Sequence, residues 1–418
     1  MTGILAMFAL FGGPSCNRTA EENDTVVKIE SEDFTGSSAE TAVQTLESGE
    51  RVVDIPGGEW ISFDVPVKEA GRYRTVVRAS CAGEGEATLW LEDYCDNADG
   101  RTYNITGSMD LSGEESPERL VTLVRDGSPL NEGIHRMKLH VEKGGARVDW
   151  ISFELIRAHE VTPLVLTQNM EGDEWVVVWS DEFDTDGMLD TTKWTYDIGD
   201  WGWGNNELQY YTVGRKENAR IENGNLIIEA RKNDMGYKWT SARITTRWKT
   251  CFLYGRIEFR AMVPARRGNW AAGWTLGDSY VDEMSWPYCG EVDIMESVGF
   301  EIDDETGDGT AHASIHCGAY YFKKNNARSS TTGVSRMSGQ FHTYAVEWTP
   351  EYIKAFVDDK HYFTYDEPSD PLTWPFNEPQ NIILNLAMGG GWGGARGLDQ
   401  NMTSQQIIID YVRVYGKQ

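Results

Sequence analysis

The stretch GEVDIME, residues 290–296, alternates acidic and apolar side chains in the manner of a β-strand with one buried face. Alternation places Glu291 and Asp293 on one face and the Val and Ile side chains on the other. Strict alternation would then bury Glu296, and burying an unpaired carboxylate is costly. A one-residue β-bulge at Ile294–Met295 removes this conflict, because it returns Glu296 to the face of the other two acids. We therefore predict a bulged strand with three carboxylates on one face.

The spacing of the two glutamates points to one kind of chemistry. Four strand steps at about 3.3 Å per residue put the Cα atoms of Glu291 and Glu296 roughly 13 Å apart. Two side chains leaning inward, each about 4 Å long, bring the carboxyl groups to about 5 Å. Retaining glycosidases have this separation, and like charges this close raise one of the two pKa values. A solvated charge stripe is the alternative, but the apolar residues between the acids favour a half-buried strand.

The motifs around this strand resemble glycoside hydrolase family 16 across residues 175–418. WPYCGEVDIME (286–296) is similar to the laminarinase signature of that family, and further matches are SDEFD (180–184), GWGNNELQYYT (202–212), SARITT (241–246), YGRIEFRA (254–261), GNWAAGW (268–274), HASIH (312–316), YAVEWTP (344–350), NLAMGGGWGG (385–394) and DYVRVY (410–415). The resemblance implies an all-β fold, a jelly-roll sandwich. It also implies a retaining endo-β-1,3-glucanase that cleaves internal bonds of laminarin-type glucan.

Individual roles follow from the same resemblance. Glu291 would be the nucleophile, Asp293 the supporting acid and Glu296 the general acid/base. Substrate contacts are implied for two hydrogen-bonding residues, three tryptophan stacking platforms and a histidine near the cleaved bond: Asn205, Arg243, Trp270, Trp274, Trp286 and His316. A structural calcium ion is implied at Glu182, the Gly224 carbonyl group and Asp410, and no catalytic cofactor is implied.

Residues 27–156 carry a separate pattern of short alternating strands broken by Gly, Asp and Ser, which predicts a smaller β-sandwich. The motifs IESEDF (29–34), GGEWISFDV (57–65), AGRY (70–73) and RVDWISFEL (147–155) resemble carbohydrate-binding module family 6. That resemblance implies sugar contacts at Trp90, Tyr94 and Asp149, although that family has Asn at the last position. It also implies calcium ligands at Glu30 and Glu32. Packing of both aromatic rings in the core is the alternative. We expect a linker at 157–174.

The charge balance restricts the partners. The 418 residues include 66 acidic and 38 basic side chains, a formal net charge of −28. Such a surface repels phosphate backbones and anionic lipid headgroups, so we expect neither nucleic acid nor membrane surfaces as partners. A neutral β-glucan polysaccharide fits this charge, and we expect the protein to act as a monomer.

The first residues, 1–16, resemble a bacterial lipoprotein export signal that ends at Cys16, and they are too short to span a bilayer. Residues 17–26 are polar and predict a tether. We therefore expect a secreted or outer-surface protein. In an exported protein Cys81 and Cys95 could pair, or they could remain buried thiols.

Three alternatives share these observations. An agarase or porphyranase has the same bulged acids, but usually lacks the WPxxGE lead-in and the NLAMGGxW loop. A mixed-linkage β-1,3-1,4-glucanase has the same fold. A non-catalytic glucan-recognition protein on this fold loses the acids, whereas this chain keeps all three.

Overall fold

The computed structural model describes residues 26–83, 85–96, 100–112 and 119–418. The predicted export signal at 1–16, with Cys16, and the predicted tether at 17–26, apart from its last residue, lie outside the described residues. None of the helices in the described ranges has the length and apolar character of a membrane span. The five cysteines in these ranges are free thiols, Cys81 and Cys95 included.

A first β-sandwich occupies residues 26–158 and consists of two antiparallel sheets with six strands each in the described part of the chain. Its strands are β1 Val26–Glu30, β2 Gly36–Ser37, β3 Ala42–Thr45, β4 Arg51–Ile55, β5 Trp60–Val67, β6 Gly71–Cys81, β7 Ala87–Asp93, β8 Tyr103–Asn104, β9 Met109–Leu111, β10 Val121–Leu130, β11 Gly133–Lys143 and β12 Ala146–Ala158. One sheet has the order β10-β6-β12-β4-β3, with β1 on β12. The other has the order β2-β5-β11-β7-β8, with β9 on β7.

Alternating apolar residues build the core of this first sandwich. In β5, Phe63 and Val65 are fully buried, whereas Asp64 and Pro66 between them are exposed. Phe153 of β12, in the opposite sheet, belongs to the same buried cluster. The predicted small β-sandwich is therefore present, and its strands follow the period-two pattern of the sequence.

A second, larger sandwich contains the rest of the described chain. Its strands are β13 Leu164–Thr167, β14 Trp175–Asp181, β15 Thr195–Asp197, β16 Gln209–Tyr211, β17 Ala219–Glu222, β18 Asn225–Asp234, β19 Tyr237–Ser241, β20 Arg243–Thr245, β21 Thr250–Leu253, β22 Gly255–Met262, β23 Asn269–Gly277, β24 Glu291–Val298, β25 Gly309–His316, β26 Arg328–Val334, β27 His342–Trp348, β28 Ile353–Val357, β29 Lys360–Tyr365, β30 Gln380–Met388 and β31 Ser404–Lys417. The three 3-10 helices of the described chain are Ser31–Asp33, Gly299–Glu301 and Phe322–Lys324.

Two sheets form this second sandwich. The first has nine strands in the order β13-β21-β30-β23-β24-β25-β26, with β20 on β30 and β15 on β20. The second has ten strands in the order β16-β19-β18-β31-β22-β27-β28-β29, with β14 on β31 and β17 on β18. The predicted all-β class, with a large sandwich behind a smaller one, is confirmed.

The predicted linker at 157–174 contains regular structure. Strand β12 continues to Ala158, and β13 pairs in parallel with β21, Leu164 opposite Thr250. Thr162 Oγ1 donates a hydrogen bond of 2.6 Å to Asp278, which ties this stretch to the second sandwich. Four residues are too few for the sequence pattern to separate a parallel edge strand from a connection.

The predicted bulge in β24 is confirmed by the pairing of both neighbouring strands. Toward β23, Gly273 pairs with Met295 and the next residue, Trp274, pairs with Asp293, so one residue of β24 is extra. Toward β25 the register shifts between Asp293 and Glu296. Ile294 and Met295 are both fully buried. The extra residue lets two consecutive apolar side chains enter the core and returns Glu296 to the face of Glu291.

Close packing behind the bulge gives a stability prediction. A Cβ atom at Gly273 would lie 2.3 Å from Cζ of Phe259, a buried ring of the facing sheet. We expect Gly273→Ala to lower the free energy of unfolding by about 1–3 kcal/mol through overpacking. Gly333→Ala is the control, because Gly333 is exposed in β26 with open space around it. Calorimetric melting should show a lower midpoint for the first variant alone; equal midpoints would contradict the prediction.

Candidate active site

A cleft opens over the nine-stranded sheet of the second sandwich. Its walls come from β23, β24 and β30 and from the loops around residues 201–207, 280–286 and 322–323. The lining contains all three acids of β24 and most of the predicted sugar-binding residues: Asn205, Arg243, Trp270, Trp274, Trp286, Glu291, Asp293 and Glu296. The sequence pattern and the fold therefore converge on one cleft.

Each glutamate of β24 accepts a hydrogen bond from a tryptophan. Nε1 of Trp286 lies 3.0 Å from Oε2 of Glu291, and Nε1 of Trp270 lies 3.0 Å from Oε1 of Glu296. These two indole donors fix the rotamers of the acids, because a carboxylate held by an N–H group has fewer orientations available. The two tryptophans were predicted as stacking platforms, and the structure adds this positioning contact.

Asp293 and His316 complete the acidic cluster. Asp293 accepts a hydrogen bond from the hydroxyl group of Ser314. Nε2 of His316 lies 3.3 Å from Asp293 and 3.7 Å from Glu291. The polar atoms of Glu291, Asp293 and His316 all lie within 4.8 Å of one another. His316 reaches this position because it pairs with Glu291 across β24 and β25.

The environment raises the pKa values of Glu291, Glu296 and His316, for different physical reasons. Burial raises the pKa of Glu291 to about 7 and the charge of Asp293 adds to this, while His316 and the Trp286 hydrogen bond lower it. Burial, together with the charge of Asp293, raises the pKa of Glu296 well above its usual range. Burial alone would lower the pKa of His316, but the hydrogen bond with Asp293 and the nearby carboxylates raise it to about 9. Near neutral pH the cluster therefore holds a histidine cation, and Glu296 keeps its proton to a higher pH than a free glutamate does.

Two residues predicted to hold sugar hydroxyls lie together on one side of the acids. The guanidinium group of Arg243 lies between the rings of Trp203 and Trp274, at 4.8 and 4.7 Å from their centroids. Its Nε donates a 2.8 Å hydrogen bond to Asp197. Asn205 lies in the adjacent loop and donates to the backbone of Trp203 at 3.3 Å. Polar groups held this firmly can recognise neutral hydroxyls without rearranging.

The tryptophans differ in how much of the ring surface is accessible to a sugar. Trp286 is only 8% exposed, with Tyr321 and Phe322 packed against it. Trp274 donates from Nε1 to Asn385 at 2.8 Å. Both line the cleft, but little of the Trp286 ring is accessible for stacking. Its hydrogen bond to Glu291 is therefore the clearer role of Trp286 in this structure.

Several lining residues were not singled out from the sequence. Glu207 accepts hydrogen bonds from Asn205 and Gln209, and burial raises its pKa to about 7. The other lining residues include Arg72, Trp201, Tyr280, Glu283 and Lys323. Glu207 lies inside the GWGNNELQYYT motif, so that motif could have drawn attention to it. Arg72 comes from the first sandwich, and no signal within 175–418 could have identified it.

The residues predicted to bind sugar on the first sandwich are not brought together. Trp90 stacks on His140, with ring centroids 4.1 Å apart and an angle of 4°. Tyr94 donates from its hydroxyl group to Asp282 of the second sandwich. Asp149 lies on β12, in the other sheet of the first sandwich, away from the strand that carries Trp90. The resemblance to a carbohydrate-binding module stays a prediction.

The two acids predicted to bind calcium on the first sandwich form ion pairs with basic side chains. The predicted sugar contact Asp149 does the same. Glu30 pairs with Lys28 at 2.6 Å, and Glu32 pairs with Arg51 at 3.0 Å. Asp149 pairs with Arg78 at 2.6 Å.

The acids of the calcium site predicted on the second sandwich also form ion pairs with arginines. Glu182 accepts from Arg413 through both carboxylate oxygens, at 3.0 and 2.7 Å. Asp410 accepts from Arg260, and Gly224 lies in a turn with φ of 71°. As the side chains stand, these residues do not fit a divalent cation, because both acids are already neutralised. The calcium ion stays a prediction, and no chemical step below depends on it.

A half-buried pair of glutamates on one bulged strand, with tryptophans along the cleft, defines a glycoside hydrolase of the two-carboxylate class. A family model described as "Glycosyl hydrolases family 16" matches residues 206–413. The chain belongs to this family, and the predicted family and enzyme class are confirmed.

Similar proteins agree with this assignment. A beta-glucanase of Rhodothermus marinus is 46% identical over 249 residues, which are 58% of this chain and 85% of that protein. A glucan endo-1,3-beta-glucosidase of Cryptopygus antarcticus is 34% identical over 257 residues, 57% of this chain and 91% of that protein. The X-ray structure of the laminarinase from Rhodothermus marinus superposes with a TM-score of 0.54 at 45% identity, and covers 58% of this chain and 98% of that one. This chain is therefore an enzyme that hydrolyses glycosidic bonds.

The electrostatics of the cleft predict two opposite pH shifts. The positive charge of His316 lowers the pKa of Glu291, and the negative charge of Asp293 raises it. If activity requires ionised Glu291, His316→Ala should move the acidic limb of the pH–activity profile to higher pH. Asp293→Asn should move the same limb to lower pH. Profiles of kcat/KM measured between pH 4 and 10 would check this, and shifts of the same sign in both variants would contradict it.

Proposed function

We propose that this enzyme is a retaining endo-β-1,3-glucanase that cleaves internal bonds of laminarin-type glucan by double displacement. The observation that carries the proposal is the placement of Glu291 and Glu296 on one face of β24, each beside an indole donor, in the same cleft. Two carboxyl groups in one cleft, one to attack and one to donate a proton, are what double displacement requires.

In the first step, the Glu291 carboxylate attacks the anomeric carbon of the sugar. The bond from that carbon to the glycosidic oxygen breaks, and Glu296 transfers its proton to the departing oxygen. The elevated pKa of Glu296 supports its role as the acid. The product of this step is a glycosyl ester on Glu291 and an ionised Glu296, and configuration at the carbon is inverted once.

In the second step, the Glu296 carboxylate takes a proton from a water molecule, and the water oxygen attacks the same carbon. The ester bond breaks, Glu291 leaves as a carboxylate, and Glu296 is protonated again. His316 holds a positive charge 3.7 Å from Glu291, which favours the ionised leaving group. The second inversion restores the β configuration.

The choice of substrate is supported by charge and by relatives. The net charge of −28 disfavours sulfated polysaccharides and is compatible with a neutral glucan. The relatives named above are a beta-glucanase, a glucan endo-1,3-beta-glucosidase and a laminarinase. A solved structure of a non-specific endo-beta-1,3(4)-glucanase is also similar to this chain, with 38% identity over 60% of it and a TM-score of 0.55, so mixed-linkage glucan is the second candidate.

The paired acids can be tested by isosteric substitution. We expect Glu291→Gln and Glu296→Gln each to lower kcat on laminarin by about 10³-fold or more, since each removes a group that acts in the transition state. Glu222→Gln is the control, because Glu222 is an exposed acid paired with Arg220 at 2.9 Å. Melting temperatures should match the wild type in all three variants. Near-normal activity of either cleft variant would contradict the assignment.

Chemical rescue separates the two roles. Azide added to Glu291→Ala should restore turnover of an aryl β-glucoside and give an α-glucosyl azide, because the anion attacks from the side that Glu291 has vacated. A β-glucosyl azide from this variant would assign the nucleophile elsewhere.

The substrate is tested separately by comparing initial rates on laminarin, barley mixed-linkage glucan and agarose. We expect laminarin to be the fastest and agarose to give no new reducing ends. Faster release from agarose would replace the β-1,3-glucan proposal with an agarase while leaving the acids in their roles.

A further inference from the structure

The first sandwich holds the segment that leads into the catalytic strand. Arg101 donates from Nη1 to the backbone oxygen of Trp286 at 2.7 Å, and Tyr103 donates to the same oxygen at 3.2 Å. Tyr94 donates to Asp282 in the same segment. Trp286 is the residue whose indole N–H contacts Glu291, so the contacts of the first sandwich reach to within one residue of the acid cluster.

The first sandwich also packs against the second wall of the cleft. The backbone amide of Asp200 donates to the carbonyl group of Asp126 at 3.0 Å, and the amide of Asp126 donates to the Asp200 side chain at 2.9 Å. A Cβ atom at Gly127 would lie 2.0 Å from the oxygen of Ile198, so only glycine permits this approach. The loop that begins here continues to Asn205 and the cleft.

The two walls held in this way approach each other near one end of the cleft. A Cβ atom at Gly204 would lie 3.5 Å from Oε2 of Glu283. Glu283 accepts a 2.8 Å hydrogen bond from Tyr280. The carboxylate of Glu283 therefore lies at contact distance from position 204, and both residues line the cleft.

Arg72 of β6 is the residue of the first sandwich that enters the cleft lining. Its guanidinium lies 5.4 Å from the centroid of the Tyr280 ring, and Nη1 donates to the oxygen of Val281 at 3.2 Å. Arg72 is only 6% exposed. Among the described residues this is its one side-chain hydrogen bond. An arginine carries five N–H donors, so most of this donor capacity remains available at the cleft.

We propose that the first sandwich is a fixed part of the glucan cleft, and that Arg72 is a sugar-binding residue at the end lined by Tyr280 and Glu283. This rests on the proposed function, since the ligand is the same neutral glucan. A planar, permanently charged guanidinium can donate to two adjacent hydroxyl groups, and the Glu283 carboxylate can accept from a third. The first sandwich then contributes to affinity for the polysaccharide directly, through a residue of the cleft.

Kinetics of the full-length enzyme on laminarihexaose test this role. We expect Arg72→Ala to raise KM roughly tenfold or more, the effect of losing one charged hydrogen bond to the ligand, while kcat stays within about twofold. Arg72→Lys should recover part of the affinity, because it keeps a charged donor. Arg136→Ala is the matched control, a guanidinium of the same sandwich that lies exposed and pairs with Asp64 at 2.9 Å.

A purely structural role of Arg72 gives a different pattern. Loosening the segment before β24 would disturb Trp286 and lower kcat, with the Lys variant no better than the Ala variant. That result, or an unchanged KM, would overturn the proposal.

Binding measurements separate this inference from the proposed function. Calorimetry with laminarihexaose should give a Kd for Glu291→Gln that rises about tenfold when Arg72→Ala is added. If Glu291→Gln binds laminarihexaose and the second substitution changes nothing, the role of Arg72 is wrong and the proposed function stands. If Glu291→Gln binds barley glucan or agarose oligosaccharides but not laminarihexaose, the proposed substrate is wrong, and the role of Arg72 in binding it falls with it.

Discussion

One extra residue in β24 is the constraint on which the chemistry of this protein depends. A regular strand would send Glu296 toward the core that Ile294 and Met295 occupy, where an unpaired carboxylate is costly. The bulge instead lets both apolar residues pack inward and leaves the acids facing outward. Gly273 pairs with Met295 at the bulge and packs against the ring of Phe259 in the facing sheet, so the core leaves no room for a side chain at that position. The same bulge therefore buries the apolar side chains in the core and places the acids in the cleft.

Placing three acids on one face brings like charges close together. The surrounding side chains orient the glutamates and offset part of this repulsion. Indole donors hold each glutamate, and His316 supplies a positive charge close to Glu291 and Asp293. Burial and the charge of Asp293 raise the pKa of both glutamates, and the His316 cation opposes this rise. The first sandwich belongs to this arrangement, because it holds the backbone of Trp286.

The sequence predicted the parts of this structure that depend on local pattern. Alternation of polar and apolar residues was sufficient for two β-sandwiches, and the run from Glu291 to Glu296 was sufficient for the bulge. Contacts between segments distant in the sequence could not be predicted from local pattern. Tyr94 has the character of a sugar-binding aromatic residue, but its hydroxyl group bonds to Asp282 across the interface of the sandwiches. Arg72 is one of many arginines in the sequence, and only the docking of the two sandwiches brings it to the cleft.

The central claim is that Glu291 and Glu296 act on the sugar by two successive displacements. Proton NMR of laminarin hydrolysis, recorded in the first minutes before mutarotation, reports the configuration of the newly formed reducing ends. The account predicts that the β anomer appears first and the α anomer follows as the products equilibrate. Initial appearance of the α anomer would mean a single displacement by water and would contradict a nucleophilic Glu291.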